Sequence, residues 1–209
     1  MITCASDGGM PMSQMIDPAR PMTDRMIGIT GRPGSGKTSL LVGLVGELTR
    51  RGLTVSTMIG ADDPAAIDQP GKDSFRHRAA GAEEVMVTSA QRWALIHGGG
   101  ATEREPVAQI PLEQIPLARM PMAETPMAQM TGVDLVITEG MGGDGYPMIE
   151  VHRAACAAGE PPLGRDDSAI VAVVSDRPLD GLQKPVIDLA DVPAVADFIV
   201  AHMGLAGAA

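Results

Sequence analysis

The sequence predicts an α/β fold: a mostly parallel sheet held between helices in three layers. Three observations predict it. Short apolar runs bounded by turn residues alternate along the chain with helical stripes, which is the pattern of a parallel sheet. The first run passes through a glycine-rich turn into an amphipathic helix and then a second run, a unit that closes with a right-handed crossover. The chain has 209 residues, 44% of them hydrophobic, which is enough for one buried core. A chain of this length hides roughly 70% of its unfolded surface.

Residues 1–25 hold Gly8, Gly9, Pro11, Pro18 and Pro21 without sustained periodicity, and are expected to form a flexible leader to one domain spanning 26–209. Met26-Ile27-Gly28-Ile29-Thr30 is short and apolar and ends at Gly31, as a buried strand should. Leu40, Leu41, Leu44, Val45 and Leu48 fall on one helical stripe; Arg50 and Arg51 close it, and Gly52 stands at the C′ position. Residues 53–59 read as a second strand. Further strands are expected at 84–88, 133–138 and 169–174, a helix at 89–97, and a short edge strand at 185–189. The last helix takes Asp191 as its N-cap, Pro193 in its first turn, and Val195, Ile199 and His202 as its apolar stripe. Within 99–130, proline recurs every five residues, at Pro106, Pro111, Pro116, Pro121 and Pro126. Prolines at this spacing block a continuous helix, so the pentads read as an expanded surface insertion of low complexity.

Composition excludes several classes of function. A net charge of −10 opposes phosphate-backbone contacts with nucleic acid, and 2% aromatic residues leave few platforms for stacking bases. The two cysteines, Cys4 and Cys156, lie far apart and form neither a disulfide framework nor a cysteine zinc site. No apolar run approaches the ~20 residues of a membrane span, and the first residues lack the pattern of a secretory signal. The expected location is the cytoplasm.

Residues 31–38, Gly31-Arg32-Pro33-Gly34-Ser35-Gly36-Lys37-Thr38, match the phosphate-loop pattern GxxxxGK[ST], after a strand and opening a helix. The chemistry needs these residue types in this order. Gly34 and Gly36 let the backbone curl until successive N–H groups, with those of Ser35 to Ser39, face phosphate oxygens. The helix adds the positive end of its dipole. Lys37 brings an ammonium to the β- and γ-phosphates and is the catalytic candidate. The Thr38 hydroxyl is placed for Mg²⁺. The fold expected is therefore that of P-loop NTPases. Such sites need a carboxylate at the carboxyl end of a neighbouring strand. In Asp134-Leu135-Val136-Ile137-Thr138-Glu139, Asp134 opens the strand at the far end, whereas Glu139 closes it at the right one. Asp62 and Asp63 follow the second strand, either near the same region or as solvated loop acids. Asp176, after the strand ending near Val174, either accepts hydrogen bonds from a guanine edge or is a turn acid.

A second charged segment covers 68–82. Its Lys72, Arg76 and Arg78 either meet another anionic group or form a self-neutralised helix start with Asp68 and Asp73, and Asp73 or Ser74 is placed to cap that helix. With GRPGSGKTSL at 31–40, RGLTVSTMI at 51–59, DQPGKDSFRHRAAGA at 68–82, DLVITEG at 134–140, PMIEVHR at 147–153 and AIVAVVSD at 169–176, the chain resembles the molybdopterin-guanine dinucleotide biosynthesis protein B (MobB) family. The pieces occur in that family's order over most of 26–203, and the 68–82 segment is the most specific of them.

The resemblance implies a homodimeric P-loop protein that binds GTP with Mg²⁺. Such a protein assists a separate guanylyltransferase in attaching GMP to molybdopterin during molybdenum-cofactor synthesis, and hydrolyses GTP slowly. It implies that Gly34 to Thr38 hold phosphates, that Glu139 serves the metal, and that Asp68, Lys72, Asp73, Arg76 and Arg78 line the adjacent loop. The chain departs from the family where Lys-His and His-His pairs are usual, carrying Ile59-Gly60 and Asp62-Asp63, and where lysines are common, carrying Met148 and Gly142. No glutamine or arginine is placed by spacing alone to assist hydrolysis. A small-metabolite kinase is the competing reading, but 99–130 offers only Arg104 and Arg119 for a lid. A metal-delivery GTPase would need clustered ligands, and the four histidines are scattered.

Overall fold

The computed structural model describes residues 21–60, 71–88, 92–97, 110–111, 130, 132–141 and 145–205. The strands are β1 (Met26–Thr30), β2 (Val55–Gly60), β3 (Glu84–Thr88), β4 (Arg92–His97), β5 (Ile110–Pro111), β6 (Leu135–Glu139), β7 (Met148–His152), β8 (Ile170–Ser175) and β9 (Val186–Asp188). The helices are α1 (Lys37–Arg50), α2 (Asp73–Ala79), α3 (Ala154–Ala157) and α4 (Val192–Met203). One sheet joins the strands in the order β5-β4-β3-β2-β6-β1-β7-β8-β9. Every pairing from β3 to β9 across the sheet is parallel; β4 runs antiparallel to β3, and β5 to β4. The mostly parallel sheet with a phosphate loop after its first strand is the fold expected.

Strand alternation sorts the core into two faces. Ile27, Ile29, Val55, Ile59, Val85, Leu135, Ile137, Ile149 and Val151 point to the face that α1 covers with Leu40, Leu41, Leu44, Val45 and Leu48 and α4 covers with Val195, Ala196 and Ile199. Each fully buried side chain of this kind contributes about 1.5–3 kcal/mol. The second face is methionine-rich: Met26, Met58, Met86 and Met130 pack with Trp93, Leu95 and Val136. Further along, Met148, Ile170 and Val173 form a small cluster on that face. The single-turn 3-10 helices Met22–Arg25 and Leu163–Arg165 lie against this side.

α1 ends as its sequence reads: Arg51 is the C-cap, and Gly52 follows with φ +83°. At α4, the Asp191 side chain accepts the Ala194 amide at 3.0 Å. Two expectations are overturned. Residues 92–97 form strand β4, not a helix, because Trp93 and Leu95 are buried on one face of the sheet and Ile96 on the other. A helix there would lose the ladder to β3 that pairs Met86 with Leu95. In α4, Met203 closes the buried stripe; His202 is exposed and stacks on Phe198 with ring centroids 5.5 Å apart. Strand β7 was not among the expected elements. It is fully buried although Glu150 and His152 are polar. Glu150 is satisfied by the amides of Leu163 (3.0 Å) and Gly164 (2.8 Å). The pentad insertion, apart from Ile110–Pro111 and Met130, lies outside the described residues, as does the leader up to residue 20.

Leu95→Ala tests the strand placement. It is expected to cost about 2–5 kcal/mol of unfolding free energy, the range for emptying a packed leucine site, read from urea denaturation. A cost below about 0.5 kcal/mol, normal for an exposed position, would contradict it.

Candidate functional site

The site lies where the parallel strands end. β1 leads into residues 31–36, and three glycines set the path of that turn. Gly31 has φ +140°, and a Cβ there would stand 2.4 Å from the Val151 carbonyl oxygen of β7. Gly34 has φ +76°, and Gly36, the N-cap of α1, has φ +101°. These left-handed conformations are open to glycine and strained for other residues. The Leu40 amide already bonds the Gly36 carbonyl at 2.9 Å, so α1 begins at the loop with its first amides directed at the mouth. Lys37 Nζ donates to the Arg32 carbonyl at 3.2 Å, which holds the ammonium across the loop.

Glu139 ends β6, the strand between β1 and β2, in register with Ile29 and Ile59. Thr38 Oγ1 donates to Glu139 Oε1 at 2.7 Å, joining the start of α1 to the carboxylate chosen from sequence. Asp134 sits at the other end of the strand, where its carboxylate accepts the Thr54 amide and hydroxyl, both at 2.8 Å. Burial pushes Glu139 above the usual carboxylate range; the Thr38 bond opposes this, Asp73 adds to it, and Lys37 and Arg76 pull it down.

The 68–82 segment reaches the same carboxylate through α2. Lys72 is the exposed N-cap without a side-chain cap bond, so neither Asp73 nor Ser74 caps the helix. Asp73 pairs with Arg76 at 3.4 Å, and Arg78 lies over the Phe75 ring at 5.5 Å. Asp73 and Arg76 of the predicted group act electrostatically on Glu139. The residue missed is His77. It is fully buried, shares a 3.1 Å hydrogen bond with Thr57 through Nδ1, and stands 4.0 Å from Glu139 Oε2 through Nε2. Desolvation lowers its pKa to about 4, with Arg76 assisting and Asp73 opposing, so it is neutral near pH 7. Its helical position between two arginines was legible, but not its inward direction. Asp68, Asp62 and Asp63 lie outside the described residues.

On the other side of the loop, the chain after β7 leans on the glycines. A Cβ at Gly34 would stand 3.6 Å from Cys156 Sγ, and one at Gly36 would stand 3.4 Å from Arg153 Nη2. Asp176 follows β8; its Oδ1 accepts the Ala154 amide at 3.0 Å, and it lines a cavity of about 420 Å³ together with Asp180 and Asp188. Ser39 is exposed at the first turn of α1.

The residues fit a magnesium–triphosphate group. Ser35 Oγ and Glu139 Oε2 are buried without a hydrogen-bond partner among the described residues, and Gly31, Gly34 and Gly36 add no side chain of their own to the cradle. A hydroxyl, one carboxylate and an ammonium suit a cation that takes most of its ligands from phosphate and water. Among the described residues, no cluster of three or more acidic, histidine or cysteine side chains offers an all-protein metal cage.

Residues 26–176 match the model of the family MobB, molybdopterin guanine dinucleotide synthesis protein B. The molybdopterin-guanine dinucleotide biosynthesis adapter protein of Haemophilus influenzae is 33% identical over 83% of this chain and 86% of its own length. The protein of the same name from Escherichia coli is 34% identical over 81% of this chain and 88% of its own. Among solved structures, the MobB protein homolog of Bacillus stearothermophilus is 21% identical, with a TM-score of 0.48 over 87% of this chain and 99% of that one.

His77 gives the site a pH signature. Its folded pKa of about 4 lies below the unfolded value. Below about pH 6.5 the unfolded chain takes up a proton that the folded one refuses, so His77 costs stability as pH falls toward 4. The raised pKa of Glu139 acts oppositely, favouring the folded state on acidification, and is common to both proteins of the comparison. Between pH 7 and 4.5 the stability of wild type relative to His77→Gln should therefore fall by about 2 kcal/mol, read from urea midpoints. A constant difference would show that His77 is not held neutral by burial.

Proposed function

The chain belongs to the MobB family, and on that premise we propose that it is a GTP-binding accessory protein of molybdenum-cofactor synthesis. In this reading it acts as a cytoplasmic homodimer beside the guanylyltransferase that joins GMP to molybdopterin. The observation that carries the reading is the bond from Thr38 Oγ1 to Glu139 Oε1 at the mouth of the glycine loop, which joins the two residue types a magnesium nucleotide needs. Among the described residues no helix is long and apolar enough to cross a membrane.

The loop amides of Gly34 to Ser39 would hold the β- and γ-phosphates, and Lys37 would leave the Arg32 carbonyl to neutralise them. Thr38 would offer its hydroxyl oxygen to Mg²⁺ while still donating its proton to Glu139. When bound, the cation would neutralise charge on the phosphates. Asp176 would serve guanine from the cavity lined by residues 175–180 and 186–188, with the oxygen that does not cap Ala154. Lys72, Asp73, Arg76 and Arg78 line the neighbouring segment and would face the pterin or its enzyme. In this reading GTP hydrolysis is slow, since spacing along the sequence identifies no glutamine to orient water.

Met148 is buried against Ile170 and Val173, so it packs the sheet rather than meeting a ligand. At Gly60, a Cβ would stand 2.5 Å from the Gly140 carbonyl oxygen, so glycine here brings the ends of β2 and β6 together.

Calorimetry with GTP and ATP, each with and without Mg²⁺, tests the reading. GTP is expected to bind at least about tenfold more tightly than ATP, a difference of about 1.4 kcal/mol, and Asp176→Ala to erase the preference. Preference for ATP, with a phosphorylated small product, would support a kinase instead.

A further inference from the structure

Two buried polar atoms face each other at the metal side of the loop, and neither has a hydrogen-bond partner among the described residues: His77 Nε2 and Glu139 Oε2, 4.0 Å apart. We propose that His77 is a positioning residue for Glu139, donating from Nε2 to Oε2 while Thr38 holds Oε1. The inference rests on the reading of Glu139 as the carboxylate that serves the magnesium nucleotide.

The imidazole is fully buried between α2 and β2, and its Nδ1 lies 3.1 Å from Thr57 Oγ1. Were the proton on Nδ1, the bare Nε2 lone pair would face a carboxylate oxygen, acceptor against acceptor, at a buried place where an unmet polar group is costly. With the proton on Nε2, the Thr57 hydroxyl donates to Nδ1 and the ring N–H points at Oε2. All three groups are then served. The separation is about 1 Å beyond a normal hydrogen bond, so the proposed bond requires the two side chains to draw together by that much.

The consequence is a continuous line: Thr57 on β2, His77 on α2, Glu139 on β6 and Thr38 on α1. Both carboxylate oxygens are then fixed, so the plane of the carboxylate toward the cation is set. A carboxylate oriented by outer hydrogen bonds is a better partner for a metal than a freely rotating one. The line also ties the position of α2, which carries Asp73 and Arg76, to the nucleotide end of α1.

The test uses two amide substitutions that split the ring. His77→Gln places an amide near Nε2, whereas His77→Asn places one near Nδ1 and retains only the Thr57 contact. GTP affinity is measured by calorimetry with and without Mg²⁺ for wild type, both variants and Glu139→Gln, with thermal melting to follow the fold. The Mg²⁺-dependent gain in affinity is expected to fall about tenfold in His77→Asn and to be kept in His77→Gln. Ring-nitrogen NMR of the nucleotide-free protein should find His77 protonated on Nε2. The proposal is overturned if both variants keep the gain, if both lose it alike, or if Nδ1 carries the proton. If Glu139→Gln keeps the wild-type Mg²⁺ gain, the metal reading of Glu139 fails first, and the role of His77 falls with it.

Discussion

The close passage of the Val151 carbonyl beside Gly31 is the constraint on which the site depends. A Cβ at residue 31 would stand 2.4 Å from that oxygen, so the chain leaving β1 must be glycine there. It can then turn sharply under the end of β7, and the left-handed Gly34 and Gly36 complete a loop that delivers its amides to one point. α1 starts at the right place and angle because its leucines are locked onto the sheet below. Thr38 meets Glu139 only because both conditions hold. Packing of the sheet and geometry of the anion cradle are thus one feature of the molecule.

Much of this was legible in the residues, and particular elements show why. Met26–Thr30 and the stripe from Leu40 to Leu48 combine clear periodicity with strong punctuation by Gly31 and Gly52, so strand and helix appear where local pattern places them. The position of Glu139 beside the loop was legible because a strand has only two ends and the loop is at one of them. The helix expected at 89–97 failed because a strand buried on both faces has no alternation; pairing with β3 decides its conformation. β7 was hidden by Glu150 and His152, whose polarity masks a buried strand. The amides of Leu163 and Gly164 that make Glu150 tolerable are distant in sequence. In α4 the register slipped by one residue, from His202 to Met203, a difference that only packing resolves.

The predicted cluster of Lys72, Asp73, Arg76 and Arg78 divides in the structure. Asp73 and Arg76 sit within electrostatic reach of Glu139, whereas Arg78 is turned onto Phe75 and Lys72 is exposed. Spacing on a seven-residue helix cannot separate these roles, since every side chain lies within two turns of the others. His77, among four charged neighbours, is the one that points inward and becomes neutral by burial. Likewise Arg153, which follows β7, and Cys156 of α3 adjoin the glycine loop because β7 lies beside β1 in the sheet.

The proposed function requires that this loop and Glu139 together grip a magnesium triphosphate. A crystal structure with a non-hydrolysable GTP analogue and Mg²⁺ tests it most directly. Phosphate oxygens are expected within hydrogen-bond distance of the amides from Gly34 to Thr38, with the cation on Thr38 and Glu139 beside it directly or through one water. A nucleotide bound elsewhere, or a cation whose nearest carboxylate is not Glu139, would contradict it.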